Sequence, residues 1–125
     1  DAAAVATVML AAPTAPDERL PRIAARSRGF VYAVGLLGVT GERESLSASA
    51  TTIARRIKHI TDLPVLVGVG ISDAKQAQQA CAVADGVIQG ASVMRRLLDE
   101  GVDSVGEYIA QVRAAIDLVP AACTG

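Results

Sequence analysis

Three stretches of this sequence end an apolar run in glycine beside a hydroxyl: GVTG (Gly38 to Gly41), GVGIS (Gly68 to Ser72) and QGAS (Gln89 to Ser92). Glycine lets the backbone approach a ligand closely and take up positive φ. The second stretch runs into a helix start at Ser72, and the third into a short helix from Ser92. Backbone N–H groups at a helix N-terminus, with no carboxylate competing for them, hold an anion. Together the three stretches spell a phosphate site. A dinucleotide fingerprint is absent, since GVGISD has no third glycine at the G-x-G-x-x-G spacing.

Other chemistry finds less support. Cys81 and Cys123 are far apart, with no cysteine or histidine at metal-ligand spacing, and read as free thiols of a cytoplasmic protein. Glu42, Glu44, Asp73 and Asp85 lie near loop ends. Asp73, with Gln76 three residues on, reads as a helix cap, and Asp85 precedes a strand. None of the four has the setting of a positioned, pKa-shifted acid or base. His59 lies near a helix C-terminus, where the helix dipole accounts for it. Tyr108 falls on a core stripe and reads as a packing residue.

The elements that must position the glycines alternate in type. Val5 to Ala11 reads as a strand, and then Leu20, Ile23 and Ala24 share a helix face behind Pro16 and Pro21, so the regular part of that helix starts late. A second strand runs from Phe30 to Gly35, followed by a helix with Ala50, Ile53, Ala54, Ile57 and Ile60 inward and Arg55, Arg56 and Lys58 outward. A third strand, Pro64 to Gly70, leads to a helix capped by Ser72 or Asp73. DGVIQG is a brief fourth strand, SVMRRLLDE a short helix, and a last helix starts at Ser104 with Glu107 completing a capping box. Its stripe is Val105, Tyr108, Ile109, Val112, Ala115, Ile116 and Val119, and PAACTG (residues 120–125) is expected to be a disordered tail.

Strict alternation means a parallel sheet, either an open doubly wound sheet or part of a barrel. A (β/α)8 barrel needs eight such units and about 250 residues, so four units make half of one, here residues 1–119. Both architectures place ligands beyond the carboxyl ends of the strands, and barrels often hold phosphate at the last two strands and a short extra helix. Composition agrees: 51% of the 125 residues are apolar but only Phe30, Tyr32 and Tyr108 are aromatic, so Val, Ile, Leu and Ala must fill the core. The net charge of −1, with scattered Lys and Arg, leaves no electrostatic footprint for nucleic acid or an anionic membrane. The longest apolar candidate, AAAVATVMLAAP, is cut by Pro13 and lacks the positive flank of a signal peptide, so neither a membrane span nor a leader is expected.

The stretches APTAPDERLPRIAARSRGFVYAVGLLGVTG, LPVLVGVGIS and ADGVIQGASVMRRL resemble the C-terminal half, strands five to eight, of the tryptophan synthase α chain family. The likeness runs from about Val5 to Ile116. It implies a (β/α)8 barrel lyase of tryptophan biosynthesis that cleaves indole-3-glycerol phosphate to indole and glyceraldehyde 3-phosphate. In that family the loop after strand six is a lid, so Thr40 would contact the catalytic aspartate on closure, and Glu42 to Glu44 would be lid surface. Gly41, Gly68, Gly70 and Gly90 would set their backbones round the phosphate, and Tyr32 would face the glycerol chain.

Several positions depart from the family pattern. Gly90 is followed by Ala91 and then Ser92 where Gly-Ser is usual, which shifts or removes one hydroxyl contact to phosphate. Gly35 and Leu36 replace a Ser-Arg pair, and Val69 stands where a phenylalanine walls the indole pocket. The catalytic glutamate and aspartate of the family come from its second strand region, so no catalytic residue is expected within this chain. The resemblance implies no cofactor for the α chain itself, the partner β chain being the one that uses pyridoxal phosphate. Expected partners are the β chain, and either a complementary N-terminal half-barrel or a second copy joined through open sheet edges. The alternatives are a non-catalytic phosphate-binding half-barrel and another phosphate-binding barrel such as indole-glycerol-phosphate synthase, against which GVTG argues.

Overall fold

A computed structural model describes residues 2–35, 48–68 and 73–119 of the chain. The elements in order are β1 (Leu10–Ala11), α1 (Leu20–Arg26), β2 (Val31–Val34), α2 (Ala48–Lys58), β3 (Val65–Gly68), α3 (Ala74–Cys81), β4 (Gly86–Val87), α4 (Ala91–Glu100) and α5 (Val102–Asp117). The four strands are parallel and lie side by side in chain order, β1-β2-β3-β4. A doubly wound sheet reverses strand order at a switch point and covers both faces. Among the described residues this sheet does neither.

Register explains which face is covered. Leu10, Tyr32, Leu66 and Gly86 are aligned across the four strands, and Ala11, Ala33, Val67 and Val87 form the next row. Successive residues of a strand point to opposite faces, so the two rows lie on opposite sides. Ala11, Ala33 and Val67, with Val31 and Val65 below them, are buried against Leu20 and Ile23 of α1, Ile53 and Ile57 of α2, Ala77 and Ala80 of α3, and Tyr108 and Val112 of α5. Small Ala and Val in the strands let these helices come close, which is how a core forms with so few aromatics. On the other face Leu10 is 59% exposed, and Tyr32 and Leu66 are half-buried. Helices on one face only, over strands in sequential order, is the layout of a barrel segment.

Several boundaries differ from those read in the sequence. The first strand is regular only at Leu10–Ala11, although Thr7 O still accepts from Arg28 N–H and Met9 O from Tyr32 N–H. Upstream, Val5 and Val8 are exposed on this edge and bury too little to extend the ladder. The second strand starts at Val31 instead of Phe30, and the third at Val65 instead of Pro64. Pro64 has no N–H to give, but its carbonyl accepts from Val31 N–H at 2.9 Å. The predicted ends at Gly70 and in the tail 120–125 lie outside the described residues.

Helix ends follow local chemistry. α1 begins only at Leu20, with Pro21 in its first turn, after a turn closed by Arg19 N–H to Pro16 O. Asp73 caps α3, its carboxylate accepting from Gln76 N–H at 2.7 Å. The last helix does not start at Ser104. Gly101, at φ 95°, closes α4 by donating to Arg96 O and Leu97 O, and it opens α5 directly at Val102. Only glycine takes that φ cheaply, so one residue serves as both caps. Ser104 is thereby left inside the first turn, where its hydroxyl donates to the Glu100 carboxylate at 2.9 Å.

Two of the cations expected to face solvent are tied instead. Arg56 donates to Pro13 O at 3.2 Å, to Ala15 O at 2.6 Å and to the Asp17 carboxylate at 3.0 Å, pinning the β1–α1 loop to α2. Lys58 reaches Asp85, whose Oδ2 also accepts from the Val65 N–H, both at 2.8 Å. The Asp85 carboxylate therefore joins the end of α2 and the start of β3 to the start of β4. Asp85→Ala is expected to lower stability by about 1–3 kcal/mol, because it strands a backbone donor at the start of a central strand. Asp85→Asn, which keeps an acceptor, should lose less. Urea denaturation midpoints at constant slope read both, and equal midpoints for parent and Asp85→Ala would discard this role.

Candidate functional site

The carboxyl edge of the sheet is the end to which the glycine-bearing loops attach. Gly68 is the last residue of β3 and pairs in register with Val34, two residues beyond the Tyr32–Leu66 pair. A Cβ built on Gly68 would overlap the hydroxyl, Cε1 and Cζ of Tyr32. The Tyr32 ring therefore leans along the uncovered face toward the carboxyl edge and fills the space over Gly68. Any side chain there must displace it, which is why this position takes glycine. Beyond the regular strands, Gly35 N–H donates to Gly68 O at 3.1 Å and Ile88 N–H to Val67 O at 2.8 Å, so the ladder holds together up to the loops.

The second part of the site is the start of α4. Gly90 is its N-cap, with φ −131° and ψ −64°, no side-chain cap, and no acidic residue in the first turn. The first helical bond runs from Met94 N–H to Gly90 O at 3.0 Å, so the N–H groups of Ala91, Ser92 and Val93 come before it. Gly90 and Ala91 are exposed, and no atom lies within 4 Å of where a Gly90 Cβ would be. This is an open, uncapped helix start carrying the positive end of the helix dipole at the same sheet edge as Gly68.

Ser92 behaves differently from its neighbours. It is only 3% exposed, and its Oγ accepts from the Tyr108 hydroxyl at 3.4 Å. Tyr108 in turn accepts from Gln89 Nε2 at 2.7 Å. The Arg96 guanidinium lies 3.6 Å from the centre of the Tyr108 ring and donates to Ser92 O at 3.3 Å. The sequence reading of Tyr108 as packing holds for its ring but missed its hydroxyl, and it missed Gln89 and Arg96 altogether. A usable signal existed: a tyrosine on a buried stripe must find a partner for its O–H.

Of the residues singled out from the sequence, the structure thus places Tyr32 with Gly68, and Gly90, Ala91 and Ser92 in succession at the head of α4. Thr40, Gly41, Val69 and Gly70 lie outside the described residues. Asp73 and Asp85 are occupied as the cap and the strand tie given above. Among the described residues no group of three His, Cys, Asp or Glu could hold a metal, and no helix is long and apolar enough to cross a membrane. A cavity of about 460 Å³ lies elsewhere, along the outer edge of β4 and the face of α5, lined by Leu66, Val87, Ile109, Val112 and Ile116 among others. It opens where β4 has no neighbouring strand among the described residues.

Comparison with known proteins agrees with this geometry. A family model described as tryptophan synthase alpha chain matches residues 1–119. The tryptophan synthase alpha chain of Streptomyces coelicolor is 47% identical over 102 residues, covering 82% of this chain and 38% of that protein. That of Thermobifida fusca is 42% identical over 127 residues, covering 92% of this chain and 47% of that protein. Among solved structures, tryptophan synthase of Mycobacterium tuberculosis superposes with a TM-score of 0.79 at 37% identity, over 91% of this chain and 43% of that one. A mutant α-subunit from Pyrococcus furiosus gives 0.76 at 31% identity, over 90% and 46%. The chain spans less than half the length of the relatives it matches, and its four βα units correspond to half of a (β/α)8 barrel. By sequence and by fold it belongs to the tryptophan synthase alpha chain family.

Proposed function

We propose that this chain is the phosphate-binding half of a barrel that cleaves indole-3-glycerol phosphate into indole and glyceraldehyde 3-phosphate. The observation that carries the reading is the uncapped start of α4, at the same sheet edge as the Tyr32–Gly68 pair, in a chain matched to the family over residues 1–119. Phosphate sits among the backbones of Gly41, Gly68, Gly70, Gly90, Ala91 and Ser92, with N–H donors from the start of α4. Tyr32 lies along the glycerol part of the substrate, Val69 lines the indole pocket, and Thr40 belongs to the lid over it.

The acid and base come from outside these 125 residues. Support for this reading comes from how two carboxylates are used: Asp73 caps α3, and Asp85 ties Lys58 and the Val65 N–H. The same observation favours a second reading, in which the chain binds phosphate without catalysis and acts through assembly. In either case the occupant of the bare sheet face is a complementary half-barrel or a second copy. The β chain is the further partner, and pyridoxal phosphate belongs to it, this chain needing no cofactor. The cytoplasm is the compartment in which such a biosynthetic step takes place.

Titration with glycerol 3-phosphate, followed through backbone amide chemical shifts, tests the site. The expected result is saturable movement at Gly68, Gly90, Ala91 and Ser92, with little change at Gly29, which precedes the amino end of β2. No response at the first group would remove the phosphate assignment.

A further inference from the structure

We propose that Tyr108 is a positioning residue for the phosphate site, acting on the first turn of α4 through Ser92; this rests on the phosphate reading above. The three side chains form a one-way series of donors. Gln89 Nε2 donates to the Tyr108 hydroxyl at 2.7 Å, and that hydroxyl donates to Ser92 Oγ at 3.4 Å. Tyr108 is 3% exposed and Ser92 3% exposed, whereas Gly90 and Ala91 beside them are open to solvent. Buried hydroxyls keep their partners because nothing replaces them there.

The Ser92 hydroxyl is therefore turned under the helix, away from the open face where an anion would sit. What the first turn offers to phosphate is its backbone N–H groups, and Tyr108 fixes their direction by holding Ser92 from below. Arg96 adds to the hold, stacked 3.6 Å over the Tyr108 ring and donating to Ser92 O at 3.3 Å. Gln89 links the same hydroxyl to the end of β4, so strand, helix α4 and helix α5 meet in one network. A tie of this kind pre-orders donors that phosphate would otherwise have to order itself.

Titration of the chain with inorganic phosphate, read at the amides of Gly90, Ala91 and Ser92, tests the role. Tyr108→Phe keeps the ring and the Arg96 stacking and removes only the hydroxyl. It is expected to weaken phosphate binding about three- to tenfold, the range of one hydrogen bond, without a large change in melting temperature. Amide shifts of Ala91 and Ser92 should move in the unliganded variant, while that of Gly68 stays. Gln89→Ala, which leaves the buried ring untouched, should cost a similar factor and carries the test even where Tyr108→Phe folds poorly. Ser92→Ala added to Tyr108→Phe should cost less than about twofold more, because both act through one series of bonds.

Unchanged affinity in Tyr108→Phe and Gln89→Ala, with the parent chain binding normally, overturns the positioning role. A full additional loss from Ser92→Ala overturns it as well, since that result marks the Ser92 hydroxyl as a direct ligand. No phosphate response in the parent chain overturns the phosphate reading itself, and the role of Tyr108 with it.

Discussion

Assayed alone, the 125-residue chain should release no indole from indole-3-glycerol phosphate above the uncatalysed background. Forming indole and an aldehyde from that substrate breaks the bond between the ring carbon and the glycerol carbon. The ring carbon must gain a proton and the glycerol hydroxyl must lose one. Each transfer, when a positioned side chain performs it, is worth about 10² to 10⁴ in rate. Absence of both partners removes about 10⁴ to 10⁸ if the effects multiply. Of the carboxylates near the strand ends, Asp73 and Asp85 are already engaged in bonds to backbone N–H groups. Continuous detection of indole at saturating substrate decides the matter. Turnover within tenfold of a full-length relative would show that the chain carries its own acid and base.

A second expected result concerns mass in solution. The uncovered sheet face presents Leu10 at 59% exposure, with Val8 exposed beside it and Tyr32 and Leu66 half-buried. Along the edge of β4, the 460 Å³ cavity leaves further apolar surface of α5 without a neighbour. Each Val- or Leu-sized side chain left in water forgoes about 1.5–3 kcal/mol. A few of them approach the whole stability of a domain, about 5–15 kcal/mol. Among the described residues the β1 and β4 edges also have no neighbouring strand, which invites pairing. We therefore expect the isolated chain to associate, with β4 of one copy beside β1 of the other and a two-fold axis along the barrel. That arrangement closes after two copies, as symmetric rings do. Sedimentation equilibrium at micromolar concentration should give twice 12.8 kDa, and Leu10→Glu should shift the distribution toward monomer. A compact monomer with a cooperative melt at the same concentration would rule the association out.

What could be read from the sequence was whatever depends on near neighbours along the chain. Leu20, Ile23 and Ala24 share a face at helical spacing, and they are buried together. Asp73 and Gln76 sit three apart, and the cap bond forms between them. Alternation of strand and helix patterns gave the parallel sheet, and the length gave half a barrel. Long-range relations were not legible in the same way. Gly68 is glycine because of Tyr32, a residue 36 positions earlier that reaches it only through the β2–β3 register. Ser92 belongs to the head of α4 by sequence, but its hydroxyl is claimed by Tyr108 from the next helix. The start of α5 was misplaced because a serine–glutamate spacing competed with Gly101, whose backbone angle no pattern of side chains reveals.

The Arg56 pin has a consequence for the order in which the chain assembles. Its acceptors, Pro13 O, Ala15 O and the Asp17 carboxylate, lie 43, 41 and 39 residues before it. The β1–α1 loop thus gains these bonds only after α2 exists and a long loop has closed, a step whose entropy is lost before any contact compensates it. With β1 only two residues long, the pin adds to the hold that buried Ala11, Leu20 and Ile23 give the first βα unit. The loop precedes α2 in the chain, yet it gains these bonds only when Arg56 of α2 reaches back to clasp it. Amide exchange is therefore expected to be faster in the β1–α1 loop than in β2 and β3.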